Sequence, residues 1–222
     1  MATGSSDELV LDCIDRTGLG CRELLKVHLG GTDPNNILQR LMGKGRVKAV
    51  ARGLPQNRSY YVTGNPLGPQ ALHQKLAYAW HVALTKERVV LRPSELAELF
   101  GLQAPPGVHV FELSKTPRVF HVYVPETIEI GVALTKHVER ARTFPQVRAA
   151  MKEERYGFLT LLPWGAAKLE AQLRHACESR DLVGVDASCI AQARRLLGLN
   201  ALLTFARAPD PQSLSLALKE SL

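Results

Sequence analysis

Acidic side chains are missing from one long stretch of this sequence. From Pro34 to Lys86 there is no Asp or Glu, yet the stretch holds eight cations: Arg40, Lys44, Arg46, Lys48, Arg52, Arg58, Lys75 and Lys86. The other 20 of the 28 Lys and Arg side chains share the rest of the chain with all 21 acids, so the net charge of +7 is concentrated in one segment. A solvated basic face ordinarily carries interspersed acids, whereas a segment of one sign points to a polyanion such as nucleic acid. Long apolar runs are also missing. None approaches the ~18–20 residues of a membrane-crossing helix, so no membrane partner is expected. Met1 to Ser6 is polar and uncharged, without the basic and apolar regions of a signal peptide, and a cytoplasmic protein is the expectation. The four cysteines form no CxxC pair, which removes support for structural zinc and predicts free thiols, with Cys13 and Cys21 on buried helix faces. There is no GxxxxGKS/T loop, no GxGxxG after a strand and no GxSxG elbow, so phosphate-loop, dinucleotide and serine-hydrolase chemistry lack a motif and no cofactor is expected.

What is present is enough for a real core. The chain has 222 residues, 45% of them hydrophobic, which fits one large domain or two small ones. Leu9, Val10, Cys13 and Ile14 make one apolar stripe, predicting a first helix over Asp7 to Asp15. Gly18 and Gly20 break it. A second helix is predicted from Cys21 to Leu29, with Leu24, Leu25 and His28 on one face, ended by Gly30-Gly31. Asp33 is a good N-cap and Pro34 a good first residue for a third helix, Pro34 to Met42. Its buried stripe is Ile37, Leu38, Leu41 and Met42. Asn35, Asn36, Gln39 and Arg40, with Lys44 just beyond, lie on the other side. Asn, Gln and Arg pair with base edges in a major groove, and Lys holds phosphates; taken alone, the same face is equally an ordinary polar surface.

The segment after this helix tips the balance. Gly45 to Arg52 alternates basic and apolar residues at period two, predicting a strand with one buried and one cationic face. A turn through Arg58 leads to a return strand, Ser59 to Thr63, closed by Gly64-Asn65-Pro66. Three helices and a basic hairpin within residues 7–64, with the run Leu-Met-Gly-Lys-Gly-Arg-Val and then Tyr-Tyr-Val-Thr, resemble the winged helix-turn-helix DNA-binding superfamily. That resemblance implies double-stranded DNA as partner, contacted by Asn35, Asn36, Gln39, Arg40, Lys44, Arg46, Lys48, Arg52 and Arg58. Some winged helices bind protein instead, and a protein-interaction module is the alternative in which the basic face serves another partner.

The expected division is a winged helix over residues 1–66 and a mixed α/β domain over 67–222, α+β in all. In the second region a helix is predicted from Ala71 to Thr85. His73 and His81 on it read as packing or surface residues. A short helix is predicted to Phe100, then a hairpin of Val108–Leu113 and Arg118–Val124. Helices follow over Ile128–Thr143 and Pro145–Glu154, a buried strand over Gly157–Leu162, helices over Gly165–Ser179 and Asp186–Leu197, and a last strand over Leu202–Arg207. This order resembles restriction-endonuclease-like cores, and the whole layout is similar to replication-relaxation proteins. The likeness implies a regulatory or replication-associated role on a plasmid or other mobile element. It also raises a metal-dependent nuclease as an alternative, with Mg²⁺ held by carboxylates on the strand pair. The candidate catalytic residues are Glu112, Glu126, Glu129 and Lys136, with Glu95 able to join them. The sequence departs from the nuclease pattern: Pro105-Pro106-Gly107-Val108 stands where the first Asp is expected, and no Lys follows Glu126 at two residues. On that departure the carboxylates are surface residues of a degenerate scaffold, and no metal site is expected. The α/β domain would then serve a homodimer, partner binding or a second DNA contact.

Overall fold

Ser5 sets the start of helix α1, Ser6–Thr17. Its hydroxyl accepts from the Glu8 N–H at 3.4 Å, and the Glu8 carboxylate accepts from the Ser5 N–H at 2.8 Å, a reciprocal cap. Gly18 ends the helix in the left-handed region at φ 71°, donating to Ile14 O at 2.7 Å. Glycine suits this left-handed position, and a Cβ there would also push aside the end of the Lys75 side chain, 2.8 Å away. The computed structural model describes residues 5–50, 59–65, 67–83, 87–101, 105–124, 140–141, 143–162 and 202–207. The protein is α+β and divides into two compact units, one built on residues 1–86 and one on residues 87–207.

In the first unit α1 is followed by strand β1 (Gly20–Cys21), helices α2 (Arg22–His28) and α3 (Asn35–Gly43), strands β2 (Lys48–Val50) and β3 (Tyr60–Val62), and helix α4 (Pro69–Ala83). The three strands form one antiparallel sheet in the order β1-β3-β2, with Cys21 opposite Tyr60 and Lys48 opposite Val62. Val10, Cys13, Ile14 and Thr17 on α1, Leu24, Leu25 and Val27 on α2, and Ile37, Leu38 and Leu41 on α3 supply the core. Cys13 and Cys21 are both buried. Two expected core residues are not in it. Leu9 is 44% exposed and His28 is exposed, with Val27 taking the buried place on α2. The domain boundary expected at residue 66 also shifts. Leu76 to Ala83 are buried on every side of α4, the pattern of a helix enclosed in a core, and α4 packs on α1 and α2. Trp80 closes this core against Tyr60, ring centroids 6.4 Å apart.

The second unit comprises strand β4 (Arg88–Leu91), helix α5 (Pro93–Phe100), strands β5 (Val108–Glu112) and β6 (Arg118–Tyr123), helix α6 (Pro145–Lys152), and strands β7 (Tyr156–Leu162) and β8 (Leu202–Arg207). Its five strands run β4-β5-β6-β7-β8. The first three pair antiparallel, while β6–β7 and β7–β8 are parallel, which requires a crossover before each of the last two strands. Leu96 and Phe100 of α5 and Val147, Ala150 and Met151 of α6 pack on Val119, Tyr156 and Phe158 of the sheet. The helices expected over 165–179 and 186–197, and most of that over 128–143, lie outside the described residues.

Candidate functional site

The polar face of α3 is built by its helical period. Ile37, Leu38 and Leu41 are buried and Met42 half-buried, which turns Asn35, Asn36, Gln39 and Arg40 outward. At about 100° per residue these four fall within one arc of about 140°. Gly43 lies on the same arc, and an added Cβ there would meet nothing within 4 Å, so the surface beside Arg40 is open. The helix starts one residue later than expected, with Pro34 at its N-cap, and the Asp33 Oδ1 accepts from the Asn35 N–H at 3.0 Å. That N–H, and then the Arg22 guanidinium paired with it, hold the Asp33 carboxyl below its ordinary range. At the far end Gly45 is left-handed at φ 66°, and the Arg46 N–H returns to Leu41 O at 2.9 Å.

Lys44 before this turn, and Arg46 and Lys48 after it, are all exposed. Between them Val47 is 2% exposed, so basic and apolar side chains do point to opposite sides there. The alternation does not continue through β2: Ala49 is exposed and Val50 half-buried. Arg52 and Arg58 lie outside the described residues.

One acid reaches the cationic face from outside the acid-free segment. Asp7, in the first turn of α1, accepts from Arg40 Nε at 3.2 Å and from Arg40 Nη2, and Lys44 Nζ stands 3.6 Å away. Arg40, then Lys44, hold the Asp7 carboxyl below its ordinary range. The acid-free stretch of sequence therefore is not acid-free in space.

The candidates of the second unit do not assemble among the described residues. Glu112 is half-buried on β5, its Oε2 accepting from Arg88 Nε at 2.8 Å, with Arg118 its register partner on β6. Glu95 accepts from the Arg92 N–H at 2.8 Å at the start of α5. Glu126, Glu129 and Lys136 lie outside the described residues. Among the described residues no group of three His, Cys, Asp or Glu side chains could hold a metal ion, and no helix is long and apolar enough to cross a membrane.

The chain matches no known family, curated protein or solved structure with which it was compared. Its chemistry has to be taken from its own side chains. On the α3 side these are amide donors and acceptors on a helix face, flanked by cations. That arrangement can read a surface of hydrogen-bonding edges bordered by anions.

A second polar cluster was not foreseen from the sequence. His109 on β5 and His121 on β6 stand opposite each other in register, both buried, with ring centroids 4.8 Å apart. His109 Nδ1 lies 3.2 Å from Gly107 O and its Nε2 2.8 Å from Tyr156 Oη. A carbonyl only accepts, so Nδ1 carries the proton and Nε2 accepts from the tyrosine hydroxyl. Burial lowers the His109 pKa to about 4, the Gly107 carbonyl offsetting a part, and pushes the Tyr156 phenol up. The signal was only partial: closing the hairpin on Leu113 and Arg118, as the sequence suggests, would set His109 opposite Val122, whereas the observed register pairs Glu112 with Arg118 and so brings the two histidines face to face. Of the two readings given for His81, packing or surface, its 4% exposure on α4 selects packing.

Proposed function

We propose that this protein binds double-stranded DNA through a winged helix formed by residues 5–65, with α3 in the major groove and the β2–β3 hairpin beside it. The observation that carries the reading is the outward face of α3: Asn35, Asn36, Gln39 and Arg40 on one arc, continued by exposed Lys44, Arg46 and Lys48. These residue types divide the work as a groove-reading helix requires. Amides and guanidinium meet base edges, and the lysines and Arg46 meet phosphates. The helix order and the β1-β3-β2 sheet agree with a winged helix. The second unit is read as a restriction-endonuclease-like scaffold, on the strength of an antiparallel trio followed by two parallel strands. Its role is assembly into a homodimer or a second hold on DNA, in the setting of a plasmid or other mobile element.

The test is charge reversal at the hairpin. Arg46→Glu with Lys48→Glu is expected to weaken binding to a mixed-sequence duplex. The salt slope should also flatten, by about one for each phosphate that the protein no longer neutralises. Binding equal to the wild type would rule this surface out. The nuclease alternative, favoured by the sheet order alone, predicts Mg²⁺-dependent cleavage that Glu126→Ala abolishes; intact DNA across metals and substrates counts against it.

A further inference from the structure

We propose that Asp7 is a positioning residue for Arg40: it fixes the guanidinium so that the remaining edge meets a base, and so sets sequence discrimination by α3. The proposal rests on the DNA-binding reading above. Asp7 and Arg40 are 33 residues apart in sequence, yet Arg40 gives Asp7 both Nε–H and one Nη2–H, a side-on bidentate pair. Of the five guanidinium N–H donors, that leaves three: the second Nη2–H and both on Nη1. The second Nη2–H and one Nη1–H form the outer edge, and these two parallel N–H bonds match guanine O6 and N7.

A phosphate would match that edge too, but it would have to approach beside an ionised carboxylate. A guanine edge carries no net charge and meets no such repulsion. Asp7 therefore shifts Arg40 from backbone contact towards base contact. Its carboxylate is itself well placed, since an acid in the first turn of α1 is favoured by the helix dipole. Lys44 Nζ at 3.6 Å shares the same carboxylate, so the pair of cations is held as one group. The side chain of Arg40 is 51% exposed, and an isolated exposed arginine would have to give up its rotamer freedom on binding; here the ion pair has already restricted it. Gly43 on the same arc adds no side chain beside that edge, and a Cβ there would meet nothing within 4 Å.

The experiment is selection from a random duplex pool by the full chain, run in parallel with wild type, Asp7→Asn, Asp7→Glu and Arg40→Ala. Mixed-duplex salt series and thermal melts accompany each. Wild type is expected to enrich a site containing a guanine that Arg40→Ala no longer selects. Asp7→Asn is expected to flatten the preference at that position by about fivefold or more. It binds mixed duplex at least as tightly, with a salt slope steeper by about one, because one repelling charge is gone. Asp7→Glu restores the preference. An Asp7→Asn protein that melts like wild type and keeps the full guanine preference overturns the inference while DNA binding stands. Failure of the wild type to retain any duplex at low salt overturns both.

Discussion

Lowering the pH is expected to destabilise the second unit through His109. In the folded chain the imidazole is 1% exposed, stacked against His121, with Nδ1–H on Gly107 O and Nε2 accepting from Tyr156. A proton on Nε2 would place a cation in the core and reverse the tyrosine hydrogen bond. Burial therefore lowers the pKa from 6.5 to about 4. The sign follows directly. Above 6.5 both folded and unfolded chains hold the ring neutral, and the stability is fully present. Between 6.5 and about 4 only the unfolded chain takes the proton, so stability falls as the pH falls. Below that both are protonated and the decline stops. At about 1.4 kcal/mol per pH unit the window is worth about 3 kcal/mol. Urea unfolding of the wild type from about pH 7 to about pH 4 measures it, with His109→Gln as the reference that lacks the titration. The difference in pH dependence between the two proteins should approach 3 kcal/mol. An imidazole NMR titration giving His109 a pKa near 6.5, or equal pH dependence in both proteins, would show that burial does not hold this ring neutral.

Two further predictions concern backbone positions. An ideal Cβ at Gly107 would lie 2.4 Å from His121 Nε2, at a φ of +131° that side chains avoid. Gly107→Ala should lower stability by about 2 kcal/mol or more, read by thermal melting; an unchanged melting temperature would show that the His121 ring can move aside. Glu154 holds φ 54° at the end of α6, a left-handed conformation that glycine tolerates better. Glu154→Gly should stabilise by about 0.5–1 kcal/mol in urea titrations, and a drop in stability there would contradict the assignment of strain.

Much of the fold was legible in the sequence, for reasons visible in particular residues. The stripe Ile37, Leu38 and Leu41 has the helical period, and it fixes which side chains of α3 face outward. The strand Leu202–Arg207 appears as predicted, and Gly157–Leu162 differs from β7 by one residue, because each is a short apolar run of strand length stopped by a proline, Pro163 or Pro209. Short elements were not legible. β1 is two residues long, too short to carry a period, and β4 hides its four residues in front of the Pro93 helix start. The boundary at 66 rested on Gly64-Asn65-Pro66, a strong turn signal that marks the end of the hairpin and not of the unit. The second half of α4, Leu76 to Ala83, is buried all round, so its period could not tell which neighbours enclose it. Pairings between distant residues were the hardest to foresee. Asp7 on Arg40, Arg88 on Glu112 and His109 on His121 are set by tertiary structure, and each changes what its residue is available to do.

Whether this chain is a DNA-binding protein is decided by titrating the full chain against a mixed-sequence duplex across a salt series, with and without Mg²⁺. Binding should weaken steeply with salt and leave the DNA intact in both conditions. An absence of binding even at low salt would contradict the DNA reading, and would assign the exposed cations from Arg40 to Lys48 to a different partner.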